Sequence, residues 1–483
     1  MNDNIIFGTD GWRALLDSEI NHQTVKLVAQ AFADYVRSGN VASKEYEAEK
    51  EYKVAVAFDG RKYSNEFAEI FSQVLSGNSI LTFLSDKIIP TPALSYFVKA
   101  NSLDAGVMIT ASHNPPIYNG IKFKASYGGP FITEETLKVE KLLNKNAVKM
   151  SKDNICLTDF MPIYYKQLEE YIDFKSILDS GLNILVDSMS GAGQRYLEEL
   201  LKKHGCKAST IFSQIHEDFS GRSPEPIEKN LVPLKSFLIE NPGFSFAAAT
   251  DGDADRCGIM LEDGRWLSAQ YTILLLNDYF VNCKQISGGL VKTSSVTDKI
   301  RLFESPQRKV YDVQVGFKYI CEKMTSEDIA IGCEESGGFG YKNHIPERDG
   351  LLSTLLMAEM LAKSGYLRLS DYFEEKMRMY GQIFYDRIDY KYEYNDRMSK
   401  LPDLFKNPPK EICSFKVTGI SEFYSSRNII NGLKFNMQGN SRWLLLRSSE
   451  TEPLIRIYSE GNSYDEVKEL LKAGIDIVLN KKS

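Results

Sequence analysis

A chain of 483 residues predicts several domains, and a net charge of −7 with no basic run excludes a nucleic-acid binder. No apolar stretch is long enough to cross a bilayer, and Met1-Asn2-Asp3-Asn4 opens without the basic and apolar regions of a signal peptide. Seven scattered cysteines with no C-x-x-C pair read as reduced, buried thiols, so the expectation is a cytoplasmic protein that meets no membrane.

The first segment alternates strands and helices. Phe7 to Arg13 is a turn-rich loop, and Val25, Val28, Phe32 and Val36 recur at helical spacing. Strands are predicted at Lys53–Phe58, Ser79–Leu84 and Ala105–Ile109, with helices at Asn65–Leu75 and Pro92–Lys99 between them. Gly120–Lys124 alternates apolar and charged residues, as a half-buried strand does. Helix follows over Thr133–Asn144, and the polar stretch Asn144–Asp153 marks a boundary. One long helix, Tyr164–Leu178, leads to a second set with strands Asn183–Val186 and Phe244–Ala249 around the helix Gly193–Lys203. A third set begins near Gly264, with helix Ala269–Phe280, strand Leu290-Val291, helix Val296–Phe303 and strand Val310–Val313. Gly316 opens a further helix, then come strand Ile329–Ile331 and helix Leu351–Lys363. The last hundred or so residues read as a smaller α+β domain. Trp443–Leu446 and Leu454–Tyr458 are paired strands, and Ser463–Leu479 is an amphipathic closing helix. The predicted domains are residues 1–155, 156–263, 264–372 and 373–483, the first three α/β.

Four loops carry chemistry. Thr110-Ala111-Ser112-His113-Asn114-Pro115 follows a buried strand, where α/β sheets collect ligands. Ser112 beside an imidazole and an amide suits a nucleophile, although alone the segment reads rather as a polar strand-to-loop turn. Asp251-Gly252-Asp253-Ala254-Asp255-Arg256 places three carboxylates in five positions after another strand, which suits a hard divalent cation. An EF-hand is excluded, since a strand precedes the loop and no matching Glu follows. Glu334-Glu335-Ser336-Gly337-Gly338 offers carboxylates and a hydroxyl that could grip sugar hydroxyls, or is a solvated loop. Arg447-Ser448-Ser449-Glu450-Thr451-Glu452-Pro453 makes an anion site or a hairpin turn. Phe7-Gly8-Thr9-Asp10-Gly11-Trp12-Arg13 adds an arginine able to meet phosphate.

Taken in chain order, from Phe7–Arg13 onward, the motifs resemble the α-D-phosphohexomutases, the superfamily of phosphoglucomutases, phosphomannomutases and phosphoglucosamine mutases. The resemblance spans Phe7 to Pro453. It implies an α/β fold: three similar mixed α/β domains plus a C-terminal α+β domain around a central cleft. It implies that Ser112 carries the phosphoryl group and that Asp251, Asp253, Asp255 and the Ser112 phosphate hold Mg²⁺. Arg13 and Arg256 would then stabilise the transferring group, and His113 and Lys122 would orient it or move protons. Glu334 and Ser336 would read sugar hydroxyls, while Arg447, Ser449 and Thr451 would hold the non-reacting phosphate. In His344-Ile345-Pro346-Glu347-Arg348-Asp349-Gly350, Arg348 would bind phosphate and His344 would face the site, and Val315-Gly316-Phe317-Lys318 would be a substrate-facing turn. The chain departs from the pattern at Glu450, where a small or amide residue is usual, and at Gly338, where the bacterial bifunctional type has His. The implied partner is a small phosphosugar, with glucose 1,6-bisphosphate as intermediate and activator, on a monomer or homodimer. The paired Glu334-Glu335 points to glucose phosphates ahead of mannose phosphates. Phosphomannomutase, phosphopentomutase, a metal-dependent sugar phosphatase and a non-catalytic sugar-phosphate sensor remain alternatives.

Overall fold

The computed structural model describes residues 5–8, 11–39, 51–425, 428–449 and 453–480. Four sheets follow one another along the chain. The first has the order Trp12–Leu15, Tyr118–Ala125, Ala105–Ile109, Lys53–Phe58, Leu81–Ser85, Ile155–Thr158. Its last four strands are parallel, and Tyr118–Ala125 runs antiparallel to Ala105–Ile109. The second sheet repeats the scheme: Lys207–Ile211, Asn183–Asp187 and Phe246–Thr250 are parallel, and Cys257–Leu261 returns antiparallel. In the third, Val310–Val313, Gly289–Thr293 and Ile329–Glu334 are parallel and Gly338–Tyr341 returns antiparallel. The fourth sheet is wholly antiparallel, from Phe384–Lys391 to Glu411–Ile412, backed by the helices Arg397–Lys406 and Tyr464–Val478. This is the expected architecture of three similar α/β domains and a C-terminal α+β domain.

One apolar core runs without a break from Ala55 in the first domain through Ile184 and Phe246 in the second to Leu355 in the third. The fourth domain has its own core around Leu433, Leu446, Ile457 and Leu470. Its seam with the third is polar. The Glu460 carboxylate accepts the Thr297 hydroxyl at 2.6 Å, the Asp298 N–H at 2.9 Å and the Trp443 indole N–H at 2.8 Å. Lys434 reaches Asp298 at 3.0 Å.

Several elements differ from expectation. Tyr164–Leu178 is two helices, Met161–Tyr171 and Phe174–Ser180, because Asp173 caps the second by accepting the Ser176 N–H at 3.1 Å. Val296–Phe303 narrows to a 3₁₀ turn over Asp298–Phe303. The strand around Lys122 is buried rather than half-buried: both Lys122 and Lys124 are 0% exposed. Around the expected joins, Ile155–Thr158 completes the first sheet, Trp266–Leu267 completes the second, and residue 373 lies inside the helix Leu369–Tyr380. Edge strands of two to four residues carry too little periodicity to be read from sequence.

Candidate active site

The three expected α/β loops occupy one topological position. Each joins the last parallel strand of its sheet to the antiparallel strand beside it. The serine loop leaves Ala105–Ile109, whose five residues are all buried. Ser112 is itself buried and sits in the left-handed region at φ 53°. Its hydroxyl donates to Asp251 Oδ2 at 3.0 Å, across 139 residues of sequence. Its N–H donates to Thr110 Oγ1 at 2.9 Å, and the Thr110 hydroxyl donates to Asp59 Oδ2 at 2.6 Å.

The metal loop follows Phe246–Thr250. Asp251, Asp253 and Asp255 are buried, and one ligand oxygen from each lies within 4.8 Å of the others. The Lys122 ammonium lies 2.8 Å from Asp253 Oδ2 and 3.0 Å from Asp255 Oδ2. Asp253 Oδ2 also accepts the Thr91 hydroxyl at 2.6 Å. Burial first, then the Asp255 and Asp253 charges, push the Asp251 carboxyl well up. Burial alone would raise Asp253 as well, but Lys122 outweighs it and holds that carboxyl below the usual range. Asp253 Oδ1 and Asp255 Oδ1 are buried with no hydrogen-bond partner among the described residues. A divalent cation would satisfy both orphaned oxygens and relieve the repulsion, so the residues fit a hard metal ion.

Cations ring the serine. Arg13 Nη1 donates to Asn114 Oδ1 at 3.0 Å. Arg256 Nε lies 3.8 Å from Asp255 and 3.9 Å from Asp251, and Arg348 Nη2 lies 2.9 Å from Asp255 Oδ2. His113 reports the resulting field. Burial first, then Arg256, Arg13, Lys122 and Arg348, hold its pKa far below the ordinary value, which favours the neutral imidazole, and its Nδ1 has no hydrogen-bond partner among the described residues. The sugar loop comes in beside the metal loop. Cys257 N–H donates to Gly337 O at 3.0 Å, and Arg348 Nη1 stands 3.7 Å from Glu334 Oε2. Burial raises the Glu334 carboxyl despite Arg348 and Arg256. The buried Ser336 hydroxyl has no hydrogen-bond partner among the described residues. The structure thus gathers Ser112, His113, Lys122, Arg13, Arg256, Arg348, Glu334, Ser336 and the three aspartates.

Other expected residues lie apart. His344 does not face the cleft. Its side chain is 0% exposed, its Nε2 is 2.8 Å from Asp349 Oδ2, and its ring stacks on Tyr96 at 5.7 Å. Asp349 holds it there while capping the helix Gly350–Ser364 and accepting the Tyr164 hydroxyl at 2.8 Å. Lys318 is likewise buried, donating to Thr133 Oγ1 at 2.5 Å. Arg447 and Ser449 end the strand Trp443–Ser448 and the turn after it, with Arg447 directly opposite Arg456. Thr451 and Glu450 lie outside the described residues. Sequence reasoning missed Asp59, Arg61 and Thr91. The signal present was Asp59-Gly60-Arg61 directly after a strand parallel to the one that leads into the serine loop.

Comparison with known proteins separates this arrangement from chance. Models of the phosphoglucomutase/phosphomannomutase α/β/α domains I, II and III match residues 4–150, 162–264 and 268–380, and the model of the family's C-terminal domain matches residues 392–476. A Thermus thermophilus protein described as a phosphomannomutase superposes with a TM-score of 0.83 at 32% identity, covering 99% of this chain and 100% of that one. The chain belongs to the phosphoglucomutase/phosphomannomutase family. Members of this α-D-phosphohexomutase superfamily are intramolecular phosphotransferases, and this chain is an enzyme of that class. A Thermococcus kodakarensis phosphoglucomutase/phosphomannomutase is 28% identical over 98% of both chains. A Sulfurisphaera tokodaii phosphoglucosamine/phosphogalactosamine mutase is 27% identical over 99% of both. No helix among the described residues is long and apolar enough to cross a membrane.

Proposed function

We propose that the protein interconverts hexose 1-phosphate and hexose 6-phosphate, with glucose as the preferred sugar, through phospho-Ser112 and a 1,6-bisphosphate. The observation that carries this reading is the buried Ser112 hydroxyl on Asp251, inside a ring of Arg13, Lys122, Arg256 and Arg348. Phosphoryl transfer needs little covalent help and much charge neutralisation, and this ring supplies it. Mg²⁺, held by Asp251, Asp253, Asp255 and the Ser112 phosphate, would add further neutralisation to the transferring group.

The chain's own residues account for the rest. Phospho-Ser112 gives its phosphoryl group to the free hydroxyl of the bound hexose phosphate. The P–Oγ bond breaks, a P–O bond to the sugar forms, and the sugar proton passes to the neutral His113, while the Lys122 ammonium orients the transferring group. Glu334 and Ser336 hold sugar hydroxyls. Arg447, Ser449 and Thr451 grip the phosphate that is not reacting, and Arg348 binds phosphate on the near side. The bisphosphate then turns round, and Ser112 takes back the other phosphoryl group. Because one nucleophile serves both ends, an anion grip away from Ser112 is required.

Turnover should be measured on glucose, mannose, glucosamine and ribose 1-phosphates with Mg²⁺ and glucose 1,6-bisphosphate. Glucose 1-phosphate is expected to give the highest kcat/KM, and Ser112→Ala to abolish turnover. Release of inorganic phosphate in place of isomerisation would make the protein a phosphatase. No turnover of any of these sugars by phosphorylated, Mg²⁺-loaded protein would sink the mutase reading.

A further inference from the structure

Arg61 has no part in the chemistry described above, yet its guanidinium donates to the Ser112 carbonyl at 2.6 Å. It is fully buried. A guanidinium has five N–H donors in a fixed fork, and here each one is placed. Nε lies 3.2 Å from Asp59 Oδ2. Nη1 donates to Pro115 O and Tyr118 O, both at 3.0 Å. Nη2 donates to Ser112 O at 2.6 Å and Asn114 O at 2.7 Å. Four acceptors are therefore carbonyls of one short segment, three in the serine loop and one, Tyr118 O, at the start of the strand that follows it. Carbonyl dipoles repel one another when they converge, so a loop keeps this shape only around a cation. The flat face of the guanidinium lies 4.7 Å from the Phe219 ring of the second domain.

Asp59 completes the hold. It accepts the Arg61 N–H at 3.0 Å, the Ser64 hydroxyl at 2.7 Å and the Thr110 hydroxyl at 2.6 Å. Thr110 Oγ1 in turn accepts the Ser112 N–H. The peptide units on both sides of Ser112 are thus gripped, one by Arg61 through its carbonyl and one by Asp59 through Thr110. Ser112 needs such a hold, because a non-glycine residue at φ 53° is a conformation that L-residues avoid.

We propose that Arg61 is a positioning residue for phosphoryl transfer: its guanidinium gathers the serine-loop carbonyls into the left-handed turn that aims the Ser112 hydroxyl at the metal loop, with Asp59 and Thr110 fixing the amide side. The proposal rests on the mutase reading. Lysine cannot substitute, since a single ammonium has three donors and no planar fork to span four carbonyls. An Arg61 that merely stabilised the fold would lower activity only by unfolding protein.

The test uses full-length Arg61→Lys and Thr110→Val beside wild type. Four readouts are compared: melting temperature, KM for glucose 1-phosphate, kcat per folded molecule, and the rate at which glucose 1,6-bisphosphate phosphorylates Ser112, followed by intact mass. In Arg61→Lys, kcat and the phosphorylation rate should fall together by about a hundredfold, the scale of a roughly 1 Å misplacement, while KM stays within about threefold. Thr110→Val should show the same split with a loss of about tenfold. Arg61→Lys with both rates within about threefold of wild type per folded molecule would overturn the proposal. If Arg61→Lys does not fold, unimpaired rates in Thr110→Val overturn it. A wild-type protein that neither isomerises sugar phosphates nor acquires phosphoserine overturns the mutase reading and this proposal with it. A wild-type protein that turns over beside unimpaired variants overturns this proposal alone.

Discussion

Gly252→Ala tests whether the serine and metal loops meet as closely as the structure shows. A Cβ on Gly252 would lie 2.4 Å from Ser112 O, with Phe219 Cε1 and Pro224 Cγ each at 3.3 Å. Ordinary contact begins near 3.4 Å, so the loops must part by about 1 Å. Neither can yield freely. Ser112 O is held by Arg61 at 2.6 Å, and Gly252 is held on its other side by Ala192 N–H at 2.9 Å and Pro224 O at 3.2 Å. The parting therefore opens the 3.0 Å approach of Ser112 Oγ to Asp251. Overpacking of this kind costs about 1–3 kcal/mol, which is roughly 2–12 °C in melting temperature for a domain-sized unit. A reacting group moved by about 1 Å loses about a hundredfold in rate. Coupled assay of glucose 1-phosphate turnover, with thermal unfolding alongside, measures both. A variant with kcat within about threefold of wild type and an unchanged melting temperature would refute the reasoning.

Lys122→Met removes the ammonium between Asp253 and Asp255, and stripping one partner from a buried ion pair costs about 3–5 kcal/mol. Its melting temperature in EDTA should drop well below wild type and recover with Mg²⁺; a melting temperature indifferent to both would count against the metal assignment. Ser336→Ala deletes a buried hydroxyl that has no hydrogen-bond partner among the described residues, so stability should hold while kcat/KM falls by about 10–100-fold, the loss of one hydrogen bond of about 1.5–3 kcal/mol. Unchanged kcat/KM on every sugar would remove Ser336 from the site. At the seam with the fourth domain, burial would raise the Asp298 carboxyl, but Lys292 and Lys434 outweigh it and depress its pKa. Asp298 therefore adds stability above the unfolded carboxylate value of about 4 and loses it as pH falls below that. Wild type should lose melting temperature more steeply than Asp298→Asn between about pH 5 and pH 2; parallel curves would show that the pair contributes nothing.

The serine and metal loops were legible because each places rare polar types directly after a fully buried strand, Ala105–Ile109 and Phe246–Thr250. The three-domain repeat was legible from alternating elements, since both periodicities are local properties. What failed to show depends on partners far along the chain. Lys122 and Lys124 alternate with apolar residues and so read as solvent-facing. They are buried because Asp253, Asp255 and Glu347 wait for them more than 100 residues away. His344 sits in a segment of charged residues, and only the fold reveals that Asp349, Tyr96 and Tyr171 enclose it. Arg61 was missed for a different reason: its place after a strand was visible, but four of its five acceptors are backbone carbonyls, which leave no side-chain signature.

The joints between domains divide according to the demands of the reaction. The metal loop is the hub of the first three. Its Asp253 O accepts the Thr91 N–H at 2.9 Å from the first domain, and its Ala254 O accepts the Gly350 N–H at 3.2 Å from the third. Cys257 N–H, just beyond it, reaches Gly337 O in the sugar loop. Backbone hydrogen bonds over a shared apolar core fix distances to fractions of an ångström, which transfer at Ser112 needs. The fourth domain keeps a separate core and meets the third through Glu460, Thr297, Asp298 and Lys434. On the proposed mechanism, its grip on a phosphate would have to release whenever a bisphosphate turned, whereas the serine loop would have to hold still through the same event. A welded trio and a charge-bonded fourth domain place the rigidity where the chemistry is and the more separable contact where substrate has to be let go.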